Sequence, residues 1–148
     1  FGNSLSNSES VLFKALDSSK ELNILQGKTP IISVTIDINK NSIASIERNG
    51  TIRLWSVKNL PNYQILPLPP AAYNSISFNN NGQILAIGGG NGEIILWDIT
   101  RKNFVSLPKT KEAVNKVIFS PINKDILVSG YDDGKLRLWN LKQGNSPH

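Results

Sequence analysis

The sequence predicts an all-β protein made of one unit repeated three times, each unit a small antiparallel sheet of four short strands. Three observations carry this reading. Trp55, Trp97 and Trp139 stand at a constant interval of 42 residues. Each closes a similar segment: Asn49-Gly50-Thr51-Ile52-Arg53-Leu54-Trp55, Asn91-Gly92-Glu93-Ile94-Ile95-Leu96-Trp97, and Asp133-Gly134-Lys135-Leu136-Arg137-Leu138-Trp139. Upstream of each lie apolar residues at strand spacing.

Within a unit the first strand is marked by Ile31, Val34 and Ile36, by Tyr73, Ile76 and Phe78, and by Val114, Val117 and Phe119. The second is marked by Ile43-Ala44-Ser45, Leu85-Ala86-Ile87 and Leu127-Val128-Ser129. Asn-Gly or Asp-Gly then signals a tight hairpin, expected as a two-residue turn with positive φ at both positions. The Trp-bearing strand follows, and a fourth strand comes after it at Tyr63 to Leu66 and at Phe104 to Leu107. The repeats are placed at about 26–66, 67–107 and 108–148, in a segment 21–148.

Residues 1–20 read as a capping helix and linker. Ser6-Asn7-Ser8-Glu9 fits a capping box, and Val11, Leu12, Ala15 and Leu16 give a short amphipathic helix over about residues 7 to 17. Glu21 to Leu25 is expected to form a fourth strand with no sheet before it.

A small sheet that is apolar on both faces must lean on copies of itself, and radial stacking of such sheets makes a β-propeller. Rings close with about four to eight blades, so three blades leave the ring incomplete. The remainder is expected from further repeats or from a second copy of the chain. An isolated three-blade piece with open faces is expected to associate or aggregate.

The residues at this point resemble the WD-repeat family, whose unit ends in Trp-Asp and carries Gly-His about thirty residues earlier. Trp97-Asp98 matches, Trp55-Ser56 and Trp139-Asn140 depart at the second position, and Gly27-Lys28 stands where Gly-His would be. The resemblance implies a chain of hydrogen bonds through a His, a strand Ser or Thr, a turn Asp and the Trp. Ser45, Ser129 and Asp133 keep parts of it with Trp55 and Trp139; no unit has the His, and Ile87 replaces Ser in the second. Blades held more by packing than by polar locks are the expectation.

Composition excludes several functions. No cysteine is present and the one histidine is His148, so thiol chemistry and His or Cys metal sites are closed off. The eleven carboxylates are scattered, so no acid, base or nucleophile is gathered for catalysis. Neither an enzyme nor a cofactor site is expected. Gly88-Gly89-Gly90-Asn91-Gly92 leads into a strand and not a helix, so it is read as a turn and not as a phosphate loop. Asn49-Gly50-Thr51 matches a glycosylation sequon but is also the hairpin turn.

Apolar runs such as Ile94 to Trp97 fall far short of the roughly 20 residues of a membrane helix. With no leader pattern and no cysteine, a cytoplasmic location is expected. Lys and Arg outnumber Asp and Glu by 16 to 11, but they are spread along the chain, which argues against nucleic acid as the partner.

The reading is therefore a non-catalytic scaffold or sensor that binds a protein or peptide. In the family, hairpin turns and inter-blade loops share one face that often binds partners, which implies Lys28, Arg48, Pro69, Tyr73, Glu112 and Tyr131 as candidates. Trp55, Trp97, Trp139, Asp98, Ser45, Ser129 and Asp133 are expected to be structural. Two rival readings are a nucleic-acid-binding propeller and the regulatory repeat region of a bacterial signalling NTPase. The latter rests on the N-terminal helix running into a strand and Gly27, which is similar to the junction before the repeats of such proteins.

Overall fold

The computed structural model describes residues 19–37, 39 and 42–143. The helix expected over about residues 7 to 17 lies outside them.

Three antiparallel sheets follow one another along the chain. The first joins β1 (Ile31–Asp37), β2 (Ser42–Glu47), β3 (Ile52–Ser56) and β4 (Tyr63–Ile65) in that spatial order. The second joins β5 (Tyr73–Phe78), β6 (Ile84–Gly89), β7 (Ile94–Asp98) and β8 (Asn103–Ser106). The third holds three strands among the described residues: β9 (Val114–Phe119), β10 (Ile126–Tyr131) and β11 (Leu136–Asn140). A fourth strand was expected after the Trp-bearing strand in the first two units, and β4 and β8 supply it. A departure is Glu21 to Leu25, which is not a strand: no neighbouring strand offers it a hydrogen-bonding ladder, and Leu22 and Ile24 stand exposed. No helix among the described residues is long and apolar enough to cross a membrane.

Register repeats with the sequence. The inner strand of each sheet skips one residue against its partner, at Ile32, Asn74 and Asn115. Beyond β4 and β8, Leu66 and Leu107 turn inward and donate their N–H groups to the carbonyls of Ile52 and Ile94, at 3.0 and 2.9 Å.

Two apolar layers join the sheets. Ala44, Ile46 and Ile52 of the first sheet meet Ile76, Phe78, Leu85, Ile87, Ile95 and Trp97 of the second. The opposite face of that second sheet, with Ala86, Ile94 and Leu96, meets Val114, Val117, Phe119, Leu127 and Trp139. Hydrogen bonds add to the packing along the inner strands. Thr35 Oγ1 accepts from Phe78 N, Ser75 Oγ from Val117 N and Ser77 Oγ from Phe119 N, at 3.2, 3.1 and 3.1 Å.

The ring is not closed. Val34 and Ile36, equivalent in register to buried Ile76 and Phe78, are 64% and 58% exposed. Leu136 and Leu138, equivalent to buried Ile94 and Leu96, are 77% and 57% exposed. The two open faces are thus of the two kinds that meet inside.

The hairpins differ from the expected two-residue turns. Four residues separate the paired strands, and φ is positive only at the glycine: 86° at Gly50, 83° at Gly92 and 76° at Gly134. In each, the glycine N–H reaches the carbonyl three residues back, on Glu47, Gly89 or Tyr131. The residue before the glycine serves through its side chain. Asn49, Asn91 and Asp133 each accept, through Oδ1, the N–H two residues on, at 3.0 to 3.1 Å. This is a tight turn followed by a left-handed glycine, the usual longer alternative to the two-residue hairpin.

The surroundings of these glycines differ. A Cβ on Gly92 would overlap the Thr110 carbonyl of the loop leading to the third sheet, whereas one on Gly134 would meet nothing within 4 Å. Alanine at Gly134 is therefore expected to cost only the left-handed backbone penalty, about 1–2 kcal/mol. Gly92→Ala is expected to cost more, because the loop must also move. Urea denaturation of the two variants checks this, and equal losses would refute the packing account.

Candidate functional site

Hairpin turns and inter-blade loops gather at one end of the three sheets. The N–H groups of Arg48, Gly90 and Asp132 donate to the carbonyls of Pro30, Ala72 and Ala113, tying each turn to the loop that enters its own sheet. The second turn is also tied onward, since Thr110 N donates to Gly92 O at 3.0 Å. The result is one continuous surface.

Of the six candidate residues on this surface, Lys28, Arg48, Pro69 and Glu112 are exposed. Tyr73 and Tyr131 are not available to a partner, being 2% and 5% exposed. Tyr73 occupies the apolar layer and donates its hydroxyl to Pro69 O at 2.6 Å. Its pKa is raised by burial and by the charge of Glu93. Both tyrosines sit at inward positions of their strands, where the alternation of side chains sends them into the blade interface.

Beneath the surface the first sheet holds a polar cluster that the sequence reading overlooked. Arg53 is 1% exposed, and its Nε donates to Oε1 of the fully buried Glu47. The other carboxylate oxygen of Glu47 accepts from Lys28 N, Thr29 N and Thr29 Oγ1 at 3.0, 2.9 and 3.2 Å. The guanidinium lies over the Tyr63 ring at 4.2 Å, and Tyr63 in turn packs on Trp55 at 4.8 Å. Trp55 Nε1 donates to Ser45 Oγ at 3.1 Å. A carboxylate thus fastens the loop at Gly27-Lys28, the position where the resemblance would put a histidine.

Desolvation alone would raise the pKa of Glu47. The Arg53 hydrogen bond and charge, with the Thr29 and Lys28 N–H donors, outweigh it and hold the carboxyl below its ordinary value. The signal in the sequence was there: Ser45, Glu47, Arg53 and Trp55 share one parity across a hairpin, so opposite charges were aimed at the same inner face.

The third sheet builds a different chain. Trp139 Nε1 donates to Ser129 Oγ at 2.8 Å, and Ser129 donates to the Tyr131 hydroxyl at 3.1 Å. Arg137 covers the Tyr131 ring at 4.0 Å and reaches Asp133 at 3.7 Å. Asp133 also pairs with Lys135 at 3.2 Å, and these contacts outweigh its desolvation and lower its pKa. Asp132 points elsewhere, accepting from Asn115 Nδ2 at 2.6 Å.

The second sheet has no such chain. Ile87, Gly89 and Ile95 occupy the equivalent positions, and Trp97 Nε1 is buried without a partner. Asp98 acts locally, its Oδ1 accepting from Thr100 N and Arg101 N at 2.9 and 2.8 Å. Around its tryptophan the middle blade is therefore held by packing, whereas its neighbours add a polar chain at that place. Among the described residues no three His, Cys, Asp or Glu side chains group to hold a metal ion.

Two measurements test these clusters. Glu47, with a folded-state pKa below its unfolded one, stabilises fully above the unfolded value of about 4.3 and loses that contribution as pH falls through the lower folded value. Glu47→Ala is expected to cost about 3–5 kcal/mol at pH 7, by leaving Arg53 buried without its counter-charge. It should also flatten the acid end of the stability curve, and an unchanged pH dependence would speak against the cluster. Ser129→Ala is expected to cost about 1–3 kcal/mol, by stranding the Trp139 N–H. Ile87→Ala removes no such partner, so Trp97 fluorescence should report a cavity there and no lost hydrogen bond.

The family profile described as "WD domain, G-beta repeat" (WD40) matches residues 69–98 and 103–140. Among solved structures, the chain is similar to the β-propeller domain of Cps50 (Swd1) from Myceliophteria thermophila. The TM-score is 0.73 at 16% identity, over 86% of this chain and 40% of that one. It is similar also to the computationally designed Ika4 protein, with a TM-score of 0.73 at 24% identity, over 88% of this chain and 78% of that one. The chain spans less than half the length of the Cps50 domain. These likenesses concern the fold: the chain is built as part of a β-propeller, and within it the segments 69–98 and 103–140 are WD40 repeats.

Proposed function

We propose that this chain is a non-catalytic scaffold or sensor segment of a larger propeller, and that it receives a protein or peptide partner on the face bearing its hairpin turns. WD40 propellers are generally non-catalytic and typically bind proteins. The observation that carries the reading is the rigid surface on which loop and turn backbones are hydrogen-bonded to one another, with Lys28, Arg48, Pro69 and Glu112 exposed on it. A preformed surface binds with little ordering cost, and arginine is a frequent interface anchor. Mixed charge on this face, with Glu112 beside lysines, suits a protein better than a phosphate backbone. The ring would be completed by further repeats or by a second copy, since the open faces of the first and third blades match the kinds that pair inside.

A photoreactive side chain placed at Arg48 or Glu112, in cells that make the intact protein, tests the reading. The expected result is a discrete protein adduct from both positions that is absent from a control at Ile122 and is lost on adding Lys28→Glu. Adducts that vanish with nuclease, or equal labelling at Ile122, would overturn it.

A further inference from the structure

A second surface lies away from the hairpin turns, where the far ends of β3 and β7 leave a cleft of about 430 Å³ between the first and second blades. Its floor is apolar. Leu54 and Ile99 are half-buried and pack on the core layer beneath them, and Tyr63 stands 44% exposed beside them. The Tyr63 ring is held by the Arg53 guanidinium at 4.2 Å and by Trp55 at 4.8 Å, so this part of the cleft is preformed.

The first blade supplies a wall of amides. Asn59 and Asn62 from the turn between β3 and β4, and Gln64 from β4, line the cleft and are exposed. Their side chains make no hydrogen bond among the described residues. In the cleft between the second and third blades the amides are already engaged. There Asn79 Oδ1 accepts from Gln83 N and Ile84 N, and Asn81 Nδ2 donates to Gln83 Oε1. A side-chain amide offers donor and acceptor together, the complement of a peptide group.

The second blade supplies a cation. Lys102, in the loop after β7, is the one charged side chain in the lining, and it forms no ion pair among the described residues. Its φ is 54°, and no other described residue except glycine has a positive value. The loop is fixed there, because Lys102 N donates to Asp98 O at 2.9 Å and Asp98 Oδ1 accepts from Thr100 N and Arg101 N. Arg101, one residue earlier, lines the neighbouring cleft and lies 3.7 Å from Asp98. A lysine held in a conformation that suits glycine, in a cleft lined by no carboxylate, has no partner within its own fold.

We infer that this cleft takes the free C-terminus of a partner peptide, with the terminal carboxylate on Lys102, the last apolar side chain on Leu54 and Ile99, and main-chain amides on Asn59, Asn62 and Gln64. A C-terminal residue carries its carboxylate, its side chain and its N–H on one carbon, which matches one cation, an apolar floor and an amide wall. A nucleic acid would bring several phosphates to a single cation. The inference shares with the scaffold reading only the idea of a peptide partner. Its residues lie apart from the hairpin face, so each can fail without the other.

The test titrates the whole chain into pentapeptides that carry a neutral dye at the N-terminus and reads fluorescence anisotropy. The peptides are Ser-Gly-Ser-Ala-Leu with a free C-terminus, the same peptide as its C-terminal amide, Ser-Gly-Asp-Ala-Leu as its amide, and Ser-Gly-Ser-Ala-Ser with a free C-terminus. The first is expected to bind about fivefold or more tightly than each of the others. Lys102→Gly should weaken the first to the level of its amide and leave the thermal midpoint unchanged or higher, because glycine suits a positive φ. A lysine with a merely structural role would lower that midpoint and leave the preference intact. Gln64→Ala should weaken the first peptide about threefold, whereas Lys124→Gln in the neighbouring cleft should not. Equal binding of the amide or of the internal aspartate, a preference for the free carboxylate that survives in Lys102→Gly, or no anisotropy change at high micromolar chain would each overturn the inference.

Discussion

Everything in this structure depends on a sheet that cannot face water on either side. In the second blade, Ile87, Ile95 and Trp97 point one way and Ala86, Ile94 and Leu96 the other, and all are buried. Period-two alternation leaves a sheet one face that water can cover only if the positions on that face are polar, and here both sets are apolar. Each face must then be covered by another sheet. The fit is made by size: large side chains from one sheet lie against Ala44 or Ala86 of the next, and at Gly88 a Cβ would meet Val114 Cγ1 at 2.7 Å. Each buried Leu, Ile or Val contributes about 1.5–3 kcal/mol relative to exposure, so the layers dominate the polar contacts in number and in sum.

That dominance explains why the polar chains vary so freely. The first blade uses a buried Glu47 and Arg53, the third uses Ser129, Tyr131 and Arg137, and the second uses none. A buried ion pair is weak evidence for net stability, because desolvating two charges offsets much of their attraction. Its contribution here is directional. Glu47 accepts from two backbone N–H groups and fixes the path of the chain as it enters the first blade, a service that packing, which has no direction, does not provide. Where neighbours cover both faces, as in the second blade, that path is set by the sheets themselves.

The same architecture places its variable side chains on open surface. Stacked blades leave turns at one end and clefts at the sides, and both are held by backbone hydrogen bonds and by the cores beneath. Variation can then occur at exposed positions such as Arg48, Gln64 or Val105 without disturbing the layers. Rigid placement of variable side chains is what a recognition module needs.

The sequence by itself determined the unit, its length, its strands and the place of each turn, because a 42-residue period with alternating apolar residues admits few other folds. It also marked the inner parity of Ser45, Ser129 and the three tryptophans, whose burial follows from alternation alone. Tertiary structure decided what alternation does not encode. It turned the Asn-Gly pairs into four-residue loops in which only glycine takes positive φ, because the asparagine oxygen is engaged by the N–H two residues on. It withdrew Tyr73 and Tyr131 from the surface and buried Arg53, because whether a strand-end residue meets solvent or a neighbour depends on where the adjoining blade lies. It left Glu21 to Leu25 outside any sheet, since a strand exists only where another backbone is present to pair with it.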